Sequence, residues 1–284
     1  MEKRVVITGM GVISPVGLDV TTMWQSLVAG RSGVGPVTLF DASDLGVRIA
    51  GEATGFDPAN YMTRKEARRA ARFAQFAIAA LQQAISQSGL LVEDHDPFEI
   101  GVIAGSGVGG IETYSEEFHR LQELGPRKVN PFLVPMITVD VPAVTIALRT
   151  GARGLNHGVA TACATGADSI GMAAEAIRCG HARAMFAGSF EAGVTRIGLA
   201  TFDRMRALSR RNDDPEAASR PFAADRDGFV MSEGGAVLVL EDLEFALSRG
   251  AEPLAEVIGY GATSDAIHVT APDPTGSGAA RCMI

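Results

Sequence analysis

Short apolar runs alternate with longer amphipathic stretches along this chain of 284 residues. The apolar runs predict strands at residues 4–9, 99–104, 159–162, 182–187 and 254–259. Apolar positions at helical spacing predict helices at residues 19–30, 63–89, 111–124, 139–148, 166–178 and 243–248. Strands that alternate with helices predict an α/β fold with a largely parallel sheet covered on both faces.

Local signals set several expected boundaries. Gly9 and Gly11 are expected to end the first strand, and Thr63 with Glu66 forms a capping box that opens one long helix. Residues 228–230 and 236–240 are expected to pair as a β-hairpin around a Glu-Gly-Gly turn.

Composition and charge narrow the class of protein. The chain is 46% hydrophobic and 20% charged, enough for one large or two ordinary domains. A formal net charge of −8 argues against bulk nucleic-acid binding, and no apolar run is long enough to span a bilayer. Three scattered cysteines favour a reducing compartment, so we expect a cytoplasmic protein, and no cluster has the spacing of a zinc site.

Cys163 is the strongest candidate for chemistry. It follows an apolar run and stands in a turn of small residues before a predicted helix. The backbone N–H groups and the positive end of that helix favour a thiolate and could hold an oxyanion. Local context alone leaves a second interpretation open, since most cysteines are inert and buried. Cys179 and Cys282 lack this setting and are interpreted as structural.

A glycine-rich segment, GSGVGG at residues 105–110, matches the GxGxxG pattern of dinucleotide-binding enzymes. It lies between a predicted strand and a predicted helix, but no strand ending in Asp or Glu follows at the usual distance. Close backbone packing or a substrate tunnel is the alternative interpretation of these glycines.

Basic residues and histidines offer weaker signals. A basic stripe at helical spacing is either a solvated helix face or a docking patch for an acidic partner, to which Arg206 could belong; it comprises Lys65, Arg68, Arg69 and Arg72. His157 could act as a base or pack beneath the cysteine turn, and His268 lies in a polar loop.

Together these segments resemble the β-ketoacyl-acyl carrier protein synthases, most closely the elongating type II condensing enzymes. The matching segments run in family order along the chain: VVITGMG at 5–11, GSGVGG at 105–110, TACATGA at 161–167, RALS at 206–209, ASRPF at 218–222, RDGFV at 226–230 and YGATSD at 260–265. This order identifies Cys163 as the position of the family's acyl-accepting cysteine.

The resemblance implies a thiolase-like layered αβαβα fold and a homodimer. It implies that an acyl chain passes from acyl carrier protein to Cys163. The Cys163-bound acyl group then condenses with malonyl-carrier protein, which loses CO₂. No metal or nucleotide cofactor is implied. By analogy Val108, Phe202 and Thr270 would contact substrate. The positions that would dock the carrier protein are Lys65, Arg68, Arg69 and Arg206.

The chain also departs from the family pattern. Neither histidine motif of the family, HGTST or GHxxGA, is present. We therefore expect residues 1–250 to form the first ketosynthase half and residues 251–284 to begin a truncated second half, leaving an apolar face uncovered and the isolated chain poorly stable and inactive. Three functions remain open: an elongating ketosynthase, a non-condensing carrier-protein-binding or ketosynthase-partner protein, and a dinucleotide-dependent oxidoreductase.

Overall fold

The computed structural model describes residues 3–284, and a six-stranded mixed sheet forms its centre. The strands run in the spatial order β5-β4-β6-β7-β1-β8, with β2 and β3 as a separate antiparallel pair. The strands are β1 (Val5–Ile13), β2 (Val34–Pro36), β3 (Ile49–Gly51), β4 (Ile100–Gly105), β5 (Asn156–His157), β6 (Ala184–Glu191), β7 (Gly234–Asp242) and β8 (Ala255–Glu256).

The sheet is less parallel than the sequence predicts. Only β4 pairs in parallel, with β5 on one side and β6 on the other. The pairs β6–β7, β7–β1 and β1–β8 are all antiparallel. The expectation of a largely parallel sheet was therefore wrong, because β7 runs antiparallel to both of its neighbours, β6 and β1.

Helices cover both faces of this sheet, as expected. Within residues 3–284 they are α1 (Val20–Val28), α2 (Arg64–Ala67), α3 (Arg72–Ser88), α4 (Ile111–Leu124), α5 (Leu133–Ile137), α6 (Val141–Thr150), α7 (Thr165–Arg178), α8 (Arg196–Arg204), α9 (Leu243–Ser248) and α10 (Ser277–Met283). Helices α3 and α6 pack on one face, and α7 packs on the other. No helix of the described part is both long and apolar enough to cross a membrane.

The first strand continues through the two glycines that were expected to end it. A Cβ at Gly11 would overlap the Ala80 carbonyl oxygen, and one at Gly9 would overlap that of Ala84. Helix α3 therefore crosses β1 in backbone contact, which only glycine permits. These glycines admit a helix rather than stop a strand.

The long helix predicted at residues 63–89 is two helices. Thr63 and Glu66 do form the capping box, but α2 ends at Ala67 and α3 begins at Arg72. The Gln75 side-chain amide donates to the carbonyl oxygens of Ala67 and Ala70, which satisfies backbone acceptors at the break. A polar side chain thus stabilises a break that helical periodicity does not reveal.

The predicted hairpin at residues 228–240 is also wrong. Phe229 instead forms a short parallel bridge with the segment after α8: its N–H donates to the Ala207 carbonyl, and its carbonyl accepts from Ser209 N–H. Gly228 has φ 146° and packs against this segment, so the chain diverges before β7 starts.

The strand predicted at residues 159–162 is absent, since β5 ends at His157. The strand predicted at residues 254–259 shrinks to the two residues of β8. Strands β5 and β8 are the two edge strands of the sheet, and each pairs with a neighbour on one side only and over a short length.

Candidate active site

Three parallel strands bring their carboxyl ends to one edge of the sheet. Strand β4 leads into residues 105–110, β6 ends at Glu191, and β5 leads into the turn that carries Cys163. The carboxyl edge of parallel strands is where α/β folds place their ligand sites. Sequence-distant segments thus meet around one cysteine.

The Cys163 turn is a single 3₁₀ turn, Ala162–Ala164, that runs directly into α7. Ala162 has φ 52°, a left-handed conformation that is uncommon for a residue with a side chain. The buried Thr165 hydroxyl donates to the Ala162 carbonyl at 2.7 Å and accepts from Thr161 N–H at 3.0 Å. These two hydrogen bonds hold the turn in its bent shape.

Cys163 is exposed and faces the start of a 14-residue helix. No side chain caps the N-terminus of α7 at Ala164. The Ala164 and Thr165 N–H groups already donate to the Thr161 and Ala162 carbonyls, so the remaining first-turn N–H groups and the positive end of the helix dipole are left for an anion near the thiol. This arrangement suits nucleophilic attack on a carbonyl, with the amides as oxyanion donors.

The backbone amides of the glycine-rich loop, residues 105–110, are already occupied. Gly107 and Val108 each donate to Glu191 Oε2 at 3.0 Å, and Ser106 Oγ donates to the same oxygen at 3.1 Å. Gly109 N–H donates to Ser106 Oγ, and Gly110 N–H donates to the Ile137 carbonyl. A dinucleotide phosphate would have to displace a carboxylate here.

The oxidoreductase interpretation is therefore wrong, and close packing explains the glycines. A Cβ at Gly105 would overlap the Val159 carbonyl, and one at Gly109 would overlap the Ile137 carbonyl. The loop lies in backbone contact with the segments on either side of it, so its glycines serve packing.

Glu191 is half-buried, and its second oxygen, Oε1, is buried without a hydrogen-bond partner among residues 3–284. Burial raises the pKa of this carboxyl above its usual range, against the hydrogen bonds from Val108, Ser106 and Gly107 that lower it. A raised carboxyl pKa beside a candidate nucleophile is a common feature of functional sites.

The three residues expected to contact substrate lie in different settings. Val108 is 52% exposed, on the loop next to the Cys163 turn. Phe202 on α8 packs edge-on against Phe229, with ring centres 5.7 Å apart. Thr270 is exposed, and its N–H donates to His268 Nδ1 within its own loop.

An open, mainly apolar cleft of about 770 Å³ lies between α4 and α8. Ile111 and Phe118 line one side, and Ile197 lines the other. Neither Val108 nor Phe202 lines the cleft itself, but α4 starts three residues after Val108 and α8 carries Phe202.

The basic stripe does not form one helical face, because the helix breaks within it. Arg72 turns inward, and its guanidinium donates to both oxygens of buried Glu233 at 2.6 and 2.7 Å. Lys65, Arg68 and Arg69 remain exposed, and the Arg69 guanidinium lies 4.5 Å from the Phe132 ring centre. Arg206 is also exposed, with φ 57°.

The remaining candidates have structural or surface roles. His157 is exposed in β5 and does not pack beneath the turn, contrary to one expectation. Cys179 is the C-cap of α7, and the Cys282 thiol donates to the Gly261 carbonyl. Residues 3–284 contain no group of three or more His, Cys, Asp or Glu arranged to hold a metal ion.

Sequence reasoning missed Thr165 and Glu191. The Thr165 contact had a detectable signal, since a threonine at the first position of a helix commonly bonds to nearby backbone. Glu191 had none, because it lies 85 positions from Ser106 and only the β4–β6 pairing brings them together.

Comparison with known proteins agrees with this geometry. The family model described as "Beta-ketoacyl synthase, N-terminal domain" matches residues 2–246. A 3-oxoacyl-[acyl-carrier-protein] synthase 2 of Synechocystis sp. is 46% identical over 99% of this chain and 68% of its own length.

Solved structures resemble the whole chain. The ishigamide ketosynthase/chain length factor matches with a TM-score of 0.89 and 35% identity, over 100% of this chain and 68% of that one. A chain from a structure described as a type II PKS acyl-carrier protein in complex with its ketosynthase also matches. Its TM-score is 0.86 and its identity 30%, over 99% of this chain and 68% of that one. The fold is thus thiolase-like, and the chain belongs to the β-ketoacyl synthase family.

Proposed function

We propose that this chain acts as a 3-oxoacyl-[acyl-carrier-protein] synthase of fatty acid elongation, with Cys163 as the acyl-accepting nucleophile. The observation that carries the proposal is the exposed Cys163 thiol at the uncapped N-terminus of α7. The 46% identity to relatives named 3-oxoacyl-[acyl-carrier-protein] synthase 2 supports the substrate class.

Acyl transfer needs a nucleophile and an oxyanion site, and both are available at the Cys163 turn. The thiolate attacks the carbonyl carbon of an acyl-carrier thioester, and the carbonyl oxygen becomes an oxyanion beside the α7 amides. Collapse of this intermediate breaks the bond to the carrier sulfur, which leaves as a thiolate and takes a proton from water. The acyl chain is then a thioester of Cys163.

Condensation needs more than Cys163. In malonyl-carrier protein the bond to the carboxylate breaks, CO₂ leaves, and the electron pair forms an enolate. The enolate carbon attacks the Cys163 thioester, and the Cys163 thiolate departs as the 3-oxoacyl product forms. Hydrogen-bond donors must stabilise this enolate, and the 284 residues contain neither histidine motif of the family.

Acylation of Cys163 is the direct test. The full chain is incubated with octanoyl-carrier protein, and its intact mass is measured. One octanoyl group is expected on the wild type and on Cys179→Ala, the matched control, and none on Cys163→Ala. Acylation of Cys163→Ala at the wild-type rate would exclude Cys163 as the nucleophile.

A second candidate function is a non-condensing partner of a ketosynthase. One similar structure, described as a ketosynthase/chain length factor, supports this candidate. Acylated protein isolated from its own cells is mixed with malonyl-carrier protein. A 3-oxoacyl product supports the condensing enzyme, while carrier binding without product supports the partner role.

We assign carrier-protein docking to Lys65, Arg68, Arg69 and Arg206. Exposed cations on a protein of net charge −8 suit an acidic partner, and a similar structure holds a carrier protein with its ketosynthase. The double variant Lys65→Glu/Arg68→Glu should weaken carrier binding about tenfold and reduce its salt dependence. Arg31→Glu/Arg153→Glu, at exposed positions outside this set, is the matched control.

We also propose a cytoplasmic homodimer. Strand β5 is exposed at the sheet edge and has β4 on one side only, so it offers unpaired backbone groups to a second copy. The three cysteines of the chain are all free, which suits a reducing compartment. Light scattering of the wild type against Asn156→Pro tests the dimer, since proline removes a pairing N–H.

We further assign residues 1–250 and 251–284 to different ketosynthase halves. The N-terminal family match, which ends at residue 246, supports this boundary. Limited proteolysis should cut near residue 250 before it cuts within either part.

A further inference from the structure

We propose that Glu191 is a positioning residue for the acyl site: its carboxylate fixes the loop backbone at Ser106, Gly107 and Val108 against the Cys163 turn. In this way it sets the wall that a long acyl chain meets. The inference rests on the proposed function, because it deepens the role of the same site. Glu191 is not itself placed in contact with substrate.

The first step is the density of hydrogen bonds on one oxygen. Glu191 Oε2 accepts from Gly107 N–H, Val108 N–H and Ser106 Oγ, at 3.0 to 3.1 Å. Ser106 Oγ in turn accepts from Gly109 N–H at 2.9 Å. One carboxylate oxygen and one hydroxyl therefore accept from three consecutive loop amides, those of Gly107, Val108 and Gly109.

The second step is the contact between this loop and the nucleophile turn. A Cβ at Gly107 would lie 3.2 Å from Glu191 Oε2 and 3.3 Å from the Ala162 Cα atom. Gly107 is therefore held between the carboxylate and the residue that precedes Cys163. Ala162 has a positive φ, so its bent shape depends on support from its neighbours.

The third step is Val108. Its N–H is bound by Glu191, and its half-exposed side chain follows Gly107 directly. Any shift of the Gly107–Val108 peptide moves this side chain relative to Cys163. Chain-length selectivity should therefore depend on Glu191, while the intrinsic reactivity of the thiol should depend on it less.

Two substitutions separate the hydrogen-bond acceptor of the Glu191 side chain from its volume. Glu191→Gln keeps a side-chain oxygen that can accept from both loop amides. Glu191→Met keeps the length and much of the volume but offers no strong acceptor. If Glu191 only fills space, the two variants should behave alike; if it positions the loop, Gln should rescue what Met loses.

The test uses alkylating probes on the full chain. Wild type and variants react with iodoacetamide or N-octyl iodoacetamide, and peptide mass spectrometry gives the rates at Cys163 and at Cys179 as internal reference. The wild type should prefer the octyl probe at Cys163. Glu191→Met should lose about tenfold of this preference and Glu191→Gln about twofold or less. Glu175→Gln, on the exposed surface of α7, should match the wild type.

The outcomes separate the two proposals. Absence of an octyl preference in the wild type overturns this inference and the expected contact of Val108 with the acyl chain, while acylation of Cys163 by octanoyl-carrier protein tests the proposed function separately. A wild-type preference that Glu191→Met keeps overturns this inference alone. If thermal unfolding shows that Glu191→Met does not fold, Ser106→Ala replaces it; it removes one donor to Glu191 and the acceptor for Gly109, and should lose about threefold of the preference.

Discussion

At the scale of single residues, two polar side chains shape the surroundings of Cys163. The Thr165 hydroxyl bonds to both sides of the turn, and the Glu191 carboxylate binds the adjacent loop. Neither is a nucleophile, and each acts on backbone. The position of the thiol is thus set by hydrogen bonds to main-chain groups.

Thr165→Val should destabilise the protein and loosen the turn. Valine has the same shape but leaves Thr161 N–H and the Ala162 carbonyl unpaired, which costs about 2 kcal/mol of unfolding free energy. Urea denaturation measures that loss, and iodoacetamide should label Cys163 more slowly relative to Cys179. Thr150→Val is the control, because its hydroxyl likewise donates to a helix carbonyl and accepts from a backbone N–H, but at the C-terminal end of α6; an equal effect on Cys163 labelling would contradict the role of Thr165.

Glu191 should also make stability depend on pH. Its pKa is raised in the folded state above the ordinary 4.5, so its contribution to stability is full below that value and is lost as pH rises through the folded pKa. Glutamine does not titrate. The unfolding free energy of Glu191→Gln should therefore gain on that of the wild type as the pH rises above the ordinary Glu pKa of 4.5. Denaturant titrations across this range that keep a constant difference would contradict the raised pKa.

The sequence alone indicated the candidate nucleophile but not the side chains that support it. Cys163 was predictable because small residues and a following helix surround it within a short window. Glu191 was not, because its partners become neighbours only through strand pairing between β4 and β6. Local sequence patterns predict contacts between residues close in the chain. Contacts between distant residues depend on how the strands pair.

At the scale of elements, the packing of α3 across β1 forms the centre of the larger hydrophobic cluster. Helix α3 contributes ten buried residues and packs on β1 and β7. The helix and the strand were both predictable from apolar spacing, but their close contact was not, because glycine is equally typical of a strand end. The break at residues 68–71 was hidden for a similar reason, since Gln75 satisfies its carbonyls from within α3.

Gly11→Ala should therefore cost about 3 kcal/mol of stability or prevent folding, because its Cβ would overlap the Ala80 carbonyl, which the α3 backbone cannot easily move. Gly35→Ala is the matched control, since no heavy atom lies within 4 Å of the added Cβ. Thermal unfolding of the two variants measures the difference. Equal melting temperatures would show that α3 can shift away from β1.

At the scale of the whole molecule, most residues of segment 251–284 are exposed. Segment 251–284 contacts the rest mainly through β8 and through Tyr260, which donates to Asp168 at 2.7 Å and packs on Gly171 of α7. Large apolar side chains stay exposed in this segment, including Ile258 at 91% and Val269 at 97%. Such exposure is typical of surfaces that associate.

The full chain should therefore self-associate or bind a hydrophobic dye at micromolar concentration. The double variant Ile258→Lys/Val269→Lys should reduce dye fluorescence and light scattering, because it places charges on the exposed apolar positions. Leu148→Lys, at an 81% exposed position outside this segment, is the control. A monodisperse wild-type monomer that binds no dye would contradict the prediction.

The occupied loop at residues 105–110 has a consequence for how glycine motifs are interpreted. Glycine-rich loops bind phosphate because their amides converge on one negative charge, and here that charge is part of the chain. The Glu191 carboxyl thus occupies, from within the chain, the position that a bound anion would take. Whether this loop can accept a soluble nucleotide is thus decided 85 residues after Ser106, at a position that no search window around the glycines contains.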